Sequence, residues 1–414
     1  MSPSLQEREA PYAWVILAAA AVMIGLAFGA IVNISVFLKP LAAEFGWPRA
    51  QLAAAYSVVT VATGLGGIVM GHFSDRLPVR RVVLVGSIVP GVAFFLLSGL
   101  NTPAELYAFH ALMGLFGFGA IMAPLTNVTT HWFARNRGLA VGLTSAGGAL
   151  GQGLMPFLAR QLILEQGWRD AYQTMGVIYL ALLIPLALLI RNPPRPTGWA
   201  VAAAAGGDEP NPYAIPRPWL VAIVCVAVVF CCTCMSTPIV HVVALGSDAG
   251  LGPREAAGLL TVMMLFGVAG RILTGRMADR IGNLRAYIIV SAAQTALALW
   301  FPHVHSFAGL YALAALFGLG YAGVMTALIL CAREFSPPRN TGLSIGLVAF
   351  FGWVGMAFGA WQGGLFYDLN GDYVQAFLNS SIAGVVNLLI LGLLYLYTVR
   401  WAVHVDLRAS PAGG

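Results

Sequence analysis

Long apolar runs, interrupted at short polar intervals, organise the whole chain. Stretches long enough to cross a bilayer occur at 12–38, 50–72, 82–100, 104–130, 138–164 and 170–190, and six more at 218–244, 256–277, 286–303, 307–332, 341–366 and 373–402. The segment 192–217 differs. It carries Pro193-Pro194, Gly206-Gly207-Asp208-Glu209 and further prolines, and it is too polar and too broken to insert. The pattern predicts an all-α membrane protein of twelve transmembrane helices, arranged as a half 1–191, a linker 192–217 and a half 218–414. Residues 1–11 carry Glu7, Arg8 and Glu9 and lead into a run too long for a signal-peptide core, so the first span is expected to stay uncleaved.

The two halves resemble each other. Gly71-His-Phe-Ser-Asp75-Arg76 recurs 204 residues later as Gly275-Arg-Met-Ala-Asp279-Arg280, with Arg81 and Arg285 also in register. The same offset pairs Leu112 with Leu316, Gly114 with Gly318, Gly119 with Gly323, Gly138 with Gly342 and Gly142 with Gly346. An internal duplication in an apolar chain is the mark of a transporter. Glycines crowd spans 4, 5 and 11, including Gly147, Gly148, Gly151, Gly355 and Gly359, and predict close helix crossings.

Composition agrees with insertion: 59% of residues are hydrophobic and 9% charged, which reverses the needs of a soluble surface. With the first span entering from the cytoplasm, sixteen of the 22 Lys/Arg residues fall in cytoplasmic segments. Five, Lys39, Arg49, Arg160, Arg169 and Arg254, fall outside. The bias predicts a multi-pass protein of the inner (cytoplasmic) membrane with both termini inside. The net charge of +6 thus reflects topology, and its spread over short loops argues against nucleic acid. Cys225, Cys231, Cys232, Cys234 and Cys331 lie in apolar runs and form no disulfide or metal pattern, so no cofactor and no metal is expected.

The remaining cation is Arg271, eight residues before Asp279 and so about 12 Å along the helix from that loop, near mid-membrane. An arginine there costs roughly 2.5–3.5 kcal/mol on insertion scales and needs a wet cavity or a partner. The twelve spans offer no Asp or Glu at that depth. An anionic substrate is the favoured counter-ion, and a structural arginine bonded to backbone carbonyls is the alternative. The repeat places Gly67 opposite Arg271, so one half gained a charge where its twin has no side chain.

The Asp-Arg loops and this architecture resemble the major facilitator superfamily. Its members have a Gly-x-x-x-Asp-Arg-x-x-x-Arg loop between helices 2 and 3 and a degenerate copy between 8 and 9. The resemblance makes Gly71, Asp75, Arg76, Gly275, Asp279 and Arg280 a cytoplasmic gating motif. Within that superfamily, Trp132-Phe133-Ala-Arg135-Asn-Arg137-Gly138-Leu139-Ala140-Val-Gly142-Leu143-Thr-Ser-Ala146-Gly147, His241 through Gly250, and Gly270-Arg271 resemble the monocarboxylate porters and the neighbouring oxalate/formate exchangers. That resemblance gives Arg271 the substrate carboxylate. The animal carriers add a lysine in helix 1. Here the only lysine is Lys39, at the outer end, and Val32 stands beside Asn33 at the middle. The exchangers' second cation in helix 11 is also missing, and one buried cation suits a monocarboxylate better than a dianion.

Moving an anion through a dry cavity calls for charge compensation, which a proton supplies most cheaply. Asp248 and His241 are the candidates for proton coupling, and His110, His303 and His305 are less specific. Tyr321, opposite Gly117 in the repeat, is expected to face a roomy position and to offer its hydroxyl to substrate. Asn33, Gln152, Phe350 and Phe351 complete the expected pocket. The predicted activity is alternating-access symport of a small lactate- or pyruvate-like carboxylate with protons, with carboxylate exchange as the competing mode. The expected partners are that substrate, protons and the bilayer, and the chain is expected to act as a monomer. An enzyme would need a cluster of His, Cys, Asp or Glu at one depth, and a receptor or sensor would bring an added soluble domain. The sequence has neither.

Overall fold

The computed structural model describes residues 11–133, 137–192, 213, 215–336 and 341–408. Helix α1 runs Pro11–Val32 and, past Asn33, Ile34–Phe45; α2 is Arg49–Arg76 and α3 Val79–Ser98. Helix α4 joins Pro103–Leu112 to Gly119–Trp132 through a π-helical turn, Met113–Phe118. The stretch Arg137–Leu189 bends at Gly167, whose φ of 84° no helix tolerates, and so forms two crossings, α5 before the bend and α6 after it. Then follow α7 (Arg217–Asp248), α8 (Pro253–Ile281), α9 (Asn283–Trp300), α10 (Phe307–Phe335), α11 (Thr341–Asn370) and α12 (Val374–Arg408). These are the twelve expected crossings. Most of the segment 192–217 lies outside the described residues.

Local chemistry sets the helix ends. Thr102 and Glu105 close a capping box at the start of α4, and Ser306 caps α10 by accepting the Gly309 N–H. Gly46, at φ 67°, closes α1 in the left-handed conformation. Large side chains such as Trp219, Ile68 and Leu389 stand exposed on the helix surfaces, as the outside of a membrane bundle requires.

The 204-residue repeat is also a repeat of contacts. A Cβ on Gly66 would strike the Leu115 carbonyl of α4, and one on Gly270 would strike the Leu319 carbonyl of α10. Gly114 meets Val59 as Gly318 meets Met263, and Gly151 meets Gly25 as Gly355 meets Val229. Each pair is related by the same offset. In these crossings, α2 on α4 and α8 on α10, α1 on α5 and α7 on α11, the backbones approach too closely for any side chain larger than hydrogen.

Between the halves, α2 packs on α11 and α5 on α8. The two faces of the bundle differ. At the face formed by Phe45–Arg49, Asp248–Pro253 and Asp368–Tyr373, here the latch face, side chains from both halves interlock. The seam continues to mid-membrane through the Ser57 hydroxyl on the Ala357 carbonyl (2.5 Å) and Thr261 on the Gly153 carbonyl (2.9 Å). Nearer the opposite face, which carries the Asp-Arg motifs, and beyond a single contact between Arg271 and the Ser145 carbonyl, the described residues make no hydrogen bond or ring contact with one another across the halves. There a Cβ at Gly142, Gly275 or Gly346 would meet nothing within 4 Å. Among the described residues, the halves are joined by side chains at the latch face and stand free of such contacts near the other.

Candidate functional site

Arg271 lies ten residues before the end of α8, about 15 Å up the helix, and reaches across the seam into the other half. Its Nη1 donates to the Ser145 carbonyl of α5 at 2.6 Å, while its Nε is buried with no partner. The alternative of a carbonyl-bonded arginine is therefore half realised: one donor is used and another is left without an acceptor. A guanidinium presents Nε and Nη in a fork that fits a carboxylate side-on. Among the described residues no carboxylate pairs with it.

Other buried polar atoms in the bundle share that deficit or are weakly satisfied. Asn33 sits at the break in α1, 2% exposed, with both amide atoms unpaired. An orphaned buried amide costs about 1–3 kcal/mol, so its retention marks a position kept for another reason. Tyr321 gives its hydroxyl only to the Met264 sulfur, at 2.6 Å, and thioethers are weak acceptors. Tyr56 of α2, also fully buried, lies within electrostatic range of Tyr321 and Cys232. Two aromatics from opposite halves, Phe28 of α1 and Trp353 of α11, stack at 5.9 Å and 28°. Phe28 lies against Gly148, one helical turn from Ser145, so this ring pair borders the arginine.

The expected pocket needs correction in two places. Gly117 does not leave room for Tyr321: its position is filled by Pro90 of α3, 2.9 Å from a modest Cβ, and it belongs to the π-helical turn of α4. Tyr321 instead turns inward on its own half, over Gly267 of α8, and stacks on Phe317. Phe350 does meet the other half, 3.1 Å from the Gly64 Cβ position, with Phe351 edge-on behind it at 5.9 Å. Gln152 is buried in α5 and makes no hydrogen bond with a described residue. Phe28, Trp353 and Tyr56 were not singled out in the sequence. The 3.6-residue spacing of Phe28 and Gly25 on the face that packs on α5 was the available signal for the first.

Asp248 and His241 belong to one construction at the latch face. Asp248 accepts from Lys39 at 2.7 Å and from Arg49 at 2.7 and 3.3 Å, both cations coming from the other half. Arg49 also donates to the Tyr373 hydroxyl at 2.7 Å and lies 3.6 Å above the Tyr367 ring. Asp368 accepts the N–H groups of Arg49 and Ala50 at 2.8 and 2.7 Å, capping the first turn of α2 from across the seam. His241 is wholly buried, with Nδ1 at 3.3 Å from the Tyr373 hydroxyl and Nε2 at 2.8 Å from the Ala360 carbonyl. Gly363 leaves that ring its space, since a Cβ there would sit about on the imidazole edge. Tyr373 and Asp368 were not singled out in the sequence, and Arg49 stood there only as an external cation, because each gains meaning only from partners more than 100 residues away.

Of the gating motif, the side chains of Gly71, Asp75 and Arg76 lie outside the described residues. Gly275 stands in open space near the end of α8, and Asp279 and Arg280 are exposed and make no ion pair with a described residue.

Comparison with known proteins places this geometry. The chain is 25% identical over 369 residues to monocarboxylate transporter 13 of Bos taurus, covering 89% of this chain and 85% of that one. It is 29% identical over 404 residues to monocarboxylate transporter 11 of Homo sapiens, covering 89% and 80%. It is also 25% identical to MFS-type transporter 1 of Ophiocordyceps sp. (strain BCC 1869), covering 81% and 74%. Among solved structures, a bacterial homologue of the human lysosomal transporter Spinster, inward-facing and unoccupied, superposes with a TM-score of 0.72 at 17% identity, over 98% of this chain and 100% of that one. The nucleoside transporter NupG gives 0.72 at 12% identity, over 91% and 98%. The profile of the Major Facilitator Superfamily matches residues 17–289 and 222–409. With duplicated six-helix halves and a mid-membrane cation between them, this chain is a multi-pass membrane transporter, not an enzyme, and belongs to the Major Facilitator Superfamily.

Proposed function

We propose that the protein carries a small monocarboxylate across the inner membrane in symport with protons, by rocking its halves 1–191 and 218–414 about the seam, with 192–217 as their cytoplasmic linker. The observation that carries this reading is Arg271: mid-membrane, Nε buried and unpaired, and held in the meantime by a backbone carbonyl of the opposite half. A carboxylate arriving between the halves would take the free edge of the guanidinium, give Asn33 the partner it lacks, and offer Tyr321 a stronger acceptor than the Met264 thioether. Phe28, Trp353 and Phe350 supply an apolar side for the rest of a small acid. The likeness to monocarboxylate transporters 11 and 13 supports the same substrate class.

The charge bias puts the Asp-Arg face and both termini in the cytoplasm. On that orientation the sealed latch face is external and the molecule is open to the inside. The last turns of α2 and α8, Gly71–Arg76 and Gly275–Arg280, are then the elements that close the cytoplasmic side when the latch opens. Asp248 and His241 are the proton-coupling pair, and one copy of the chain suffices for transport. Uptake of labelled lactate or pyruvate into proteoliposomes, with and without an inward proton gradient, tests the reading. Gradient-stimulated uptake that Arg271→Lys abolishes is expected; uptake indifferent to the gradient would refute symport, and uptake unchanged by the substitution would remove Arg271 from the site.

A further inference from the structure

Asp248 and His241 are joined by a continuous hydrogen-bonded line, and its chemistry fixes the direction of each bond. The Ala360 carbonyl can only accept, so His241 Nε2 carries a hydrogen, and in the neutral ring Nδ1 then holds the lone pair. The Tyr373 hydroxyl must then donate to Nδ1, and its oxygen is turned to accept Nη1–H of Arg49, which in turn holds Asp248. The closed latch therefore satisfies every group of the line with a neutral imidazole of one tautomer. The line crosses the seam twice, out to Arg49 and back to Tyr373, and Arg49 is the one member contributed by the other half.

We propose that His241 is the proton-binding site of the external gate and that Tyr373 is the residue that passes its protonation state to the Arg49–Asp248 latch. The proton comes from external water during excursions of the gate and binds the Nδ1 lone pair. Nδ1–H then points at the phenol oxygen, which can no longer donate to it and must accept from two cations, the imidazolium and Arg49. The hydroxyl hydrogen has to turn elsewhere, and Arg49 is repelled from its acceptor. No other group takes over this role. Facing His241 are Tyr373 from α12, the Ala360 carbonyl and Gly363 from α11, and, through Tyr373, Tyr367 and Asp368 from α11, Arg49 from α2, Lys39 from α1 and Asp248 from its own helix. Of these residue types, lysine, arginine, tyrosine and the carboxylates have ordinary pKa values outside the range pH 5.5 to 8. Imidazole alone changes charge within it.

The linkage has one sign. The open gate binds the extra proton and the closed gate excludes it, so lowering the pH favours opening. The inference rests on the proton-coupled reading above, and its test needs no substrate, so failure to find the right carboxylate leaves it untouched. Spin labels at Ala43→Cys and Arg254→Cys, exposed on opposite halves of the latch face, report gate width by pulsed dipolar spectroscopy; the five native cysteines are buried, and the unsubstituted parent checks their silence. Between pH 8 and 5.5 the long-distance population is expected to rise roughly tenfold, the factor that one unit of proton linkage supplies. His241→Gln keeps a donor for Ala360 and an acceptor for Tyr373 but cannot be protonated, so the distribution should become independent of pH. Tyr373→Phe keeps the ring and removes the relay. It should widen the gate at pH 8 and flatten the response, and it decides the matter alone should the glutamine variant fail to fold. A pH response that survives in either variant, or a parent that shows none, overturns the assignment.

Discussion

Replacing Arg49 with glutamine should open the latch face, and the structure fixes by how much. Three contacts are lost: the two-point contact with Asp248, the hydrogen bond to Tyr373, and the cation over the Tyr367 ring. A hydrogen bond to a charged partner contributes about 1.5–3 kcal/mol and a half-exposed cation–π contact about 0.5–1 kcal/mol. Against this, Lys39 still pairs with Asp248 at 2.7 Å, and the backbone N–H groups of residues 49 and 50 keep their bonds to Asp368. A glutamine amide would also recover one neutral hydrogen bond, worth about 1 kcal/mol. Setting the Asp248 contact aside, because Lys39 keeps that carboxylate paired, the Tyr373 hydrogen bond and the cation–π contact less the recovered bond leave a loss of roughly 2 kcal/mol from the closed state, or about a 30-fold rise in the open population. Ser57→Cys reads that population. The residue sits on α2, partly buried against the Ala357 carbonyl of the other half, and a thiol there should meet a membrane-impermeant maleimide more readily when the halves part. Where opening is fast relative to labelling, the rate tracks the open fraction. Arg49→Gln should raise that rate about 30-fold, Asp248→Asn should raise it as well, and the double variant should fall short of the product of the two, since they share one contact. A rate within threefold of the parent, or single effects that multiply cleanly, would refute the latch.

Other outcomes follow from the same geometry. Arg271→Gln should abolish carboxylate uptake while leaving the purified protein's melting temperature within a few degrees, because the side chain's partner in the empty state is a single carbonyl. Asn33→Leu should weaken apparent substrate affinity several-fold yet leave thermal stability unchanged or raise it, since both amide atoms are buried and unpaired and removing them relieves about 1–3 kcal/mol of desolvation; a sharp drop in melting temperature would contradict that account. Gly151→Val and its repeat partner Gly355→Val should each destabilise the fold by several degrees, as both face backbone at a crossing, whereas Gly142→Ala, with open space around it, should not; thermal unfolding of the three variants checks the contrast.

The spans were legible because lipid leaves no choice: a run of about twenty apolar residues must be a helix with its backbone bonds satisfied internally. Residues 170–190 were read as a separate crossing, and the glycine that makes them one, Gly167, declares itself only through its dihedrals. Arg271 was legible for a related reason, since a charge at that depth is costly wherever its helix packs. The latch was not. Lys39 and Arg49 read as ordinary external cations, and only the approach of Asp248, Asp368 and Tyr373 from the other half gives them a task. Gly117 failed for the opposite reason: sequence register predicted an open position, but the π-helical turn of α4 rotates it onto Pro90.

The duplicated crossings also explain how one half acquired a charge without losing the scaffold. Gly66 and Gly270 are held against the Leu115 and Leu319 carbonyls so closely that neither can change, and this contact fixes the rotation of α2 and α8 about their own axes. The next residue in each helix points about 100° away from that crossing. In the first half it is Gly67, whose Cβ would meet only Ala123 at 3.8 Å; in the second it is Arg271, aimed across the seam at Ser145. The position is therefore free to vary while being rigidly aimed, which a binding residue requires. It follows that the guanidinium's direction is set by its glycine neighbour. Gly270→Ala should impair carboxylate uptake through Arg271 even though alanine touches no substrate, and Gly66→Ala, which disturbs the equivalent crossing beside an empty position, should lower stability to a similar degree with less effect on apparent affinity. Equal losses of affinity in the two variants would show that the crossing itself, and not the aim of Arg271, governs binding.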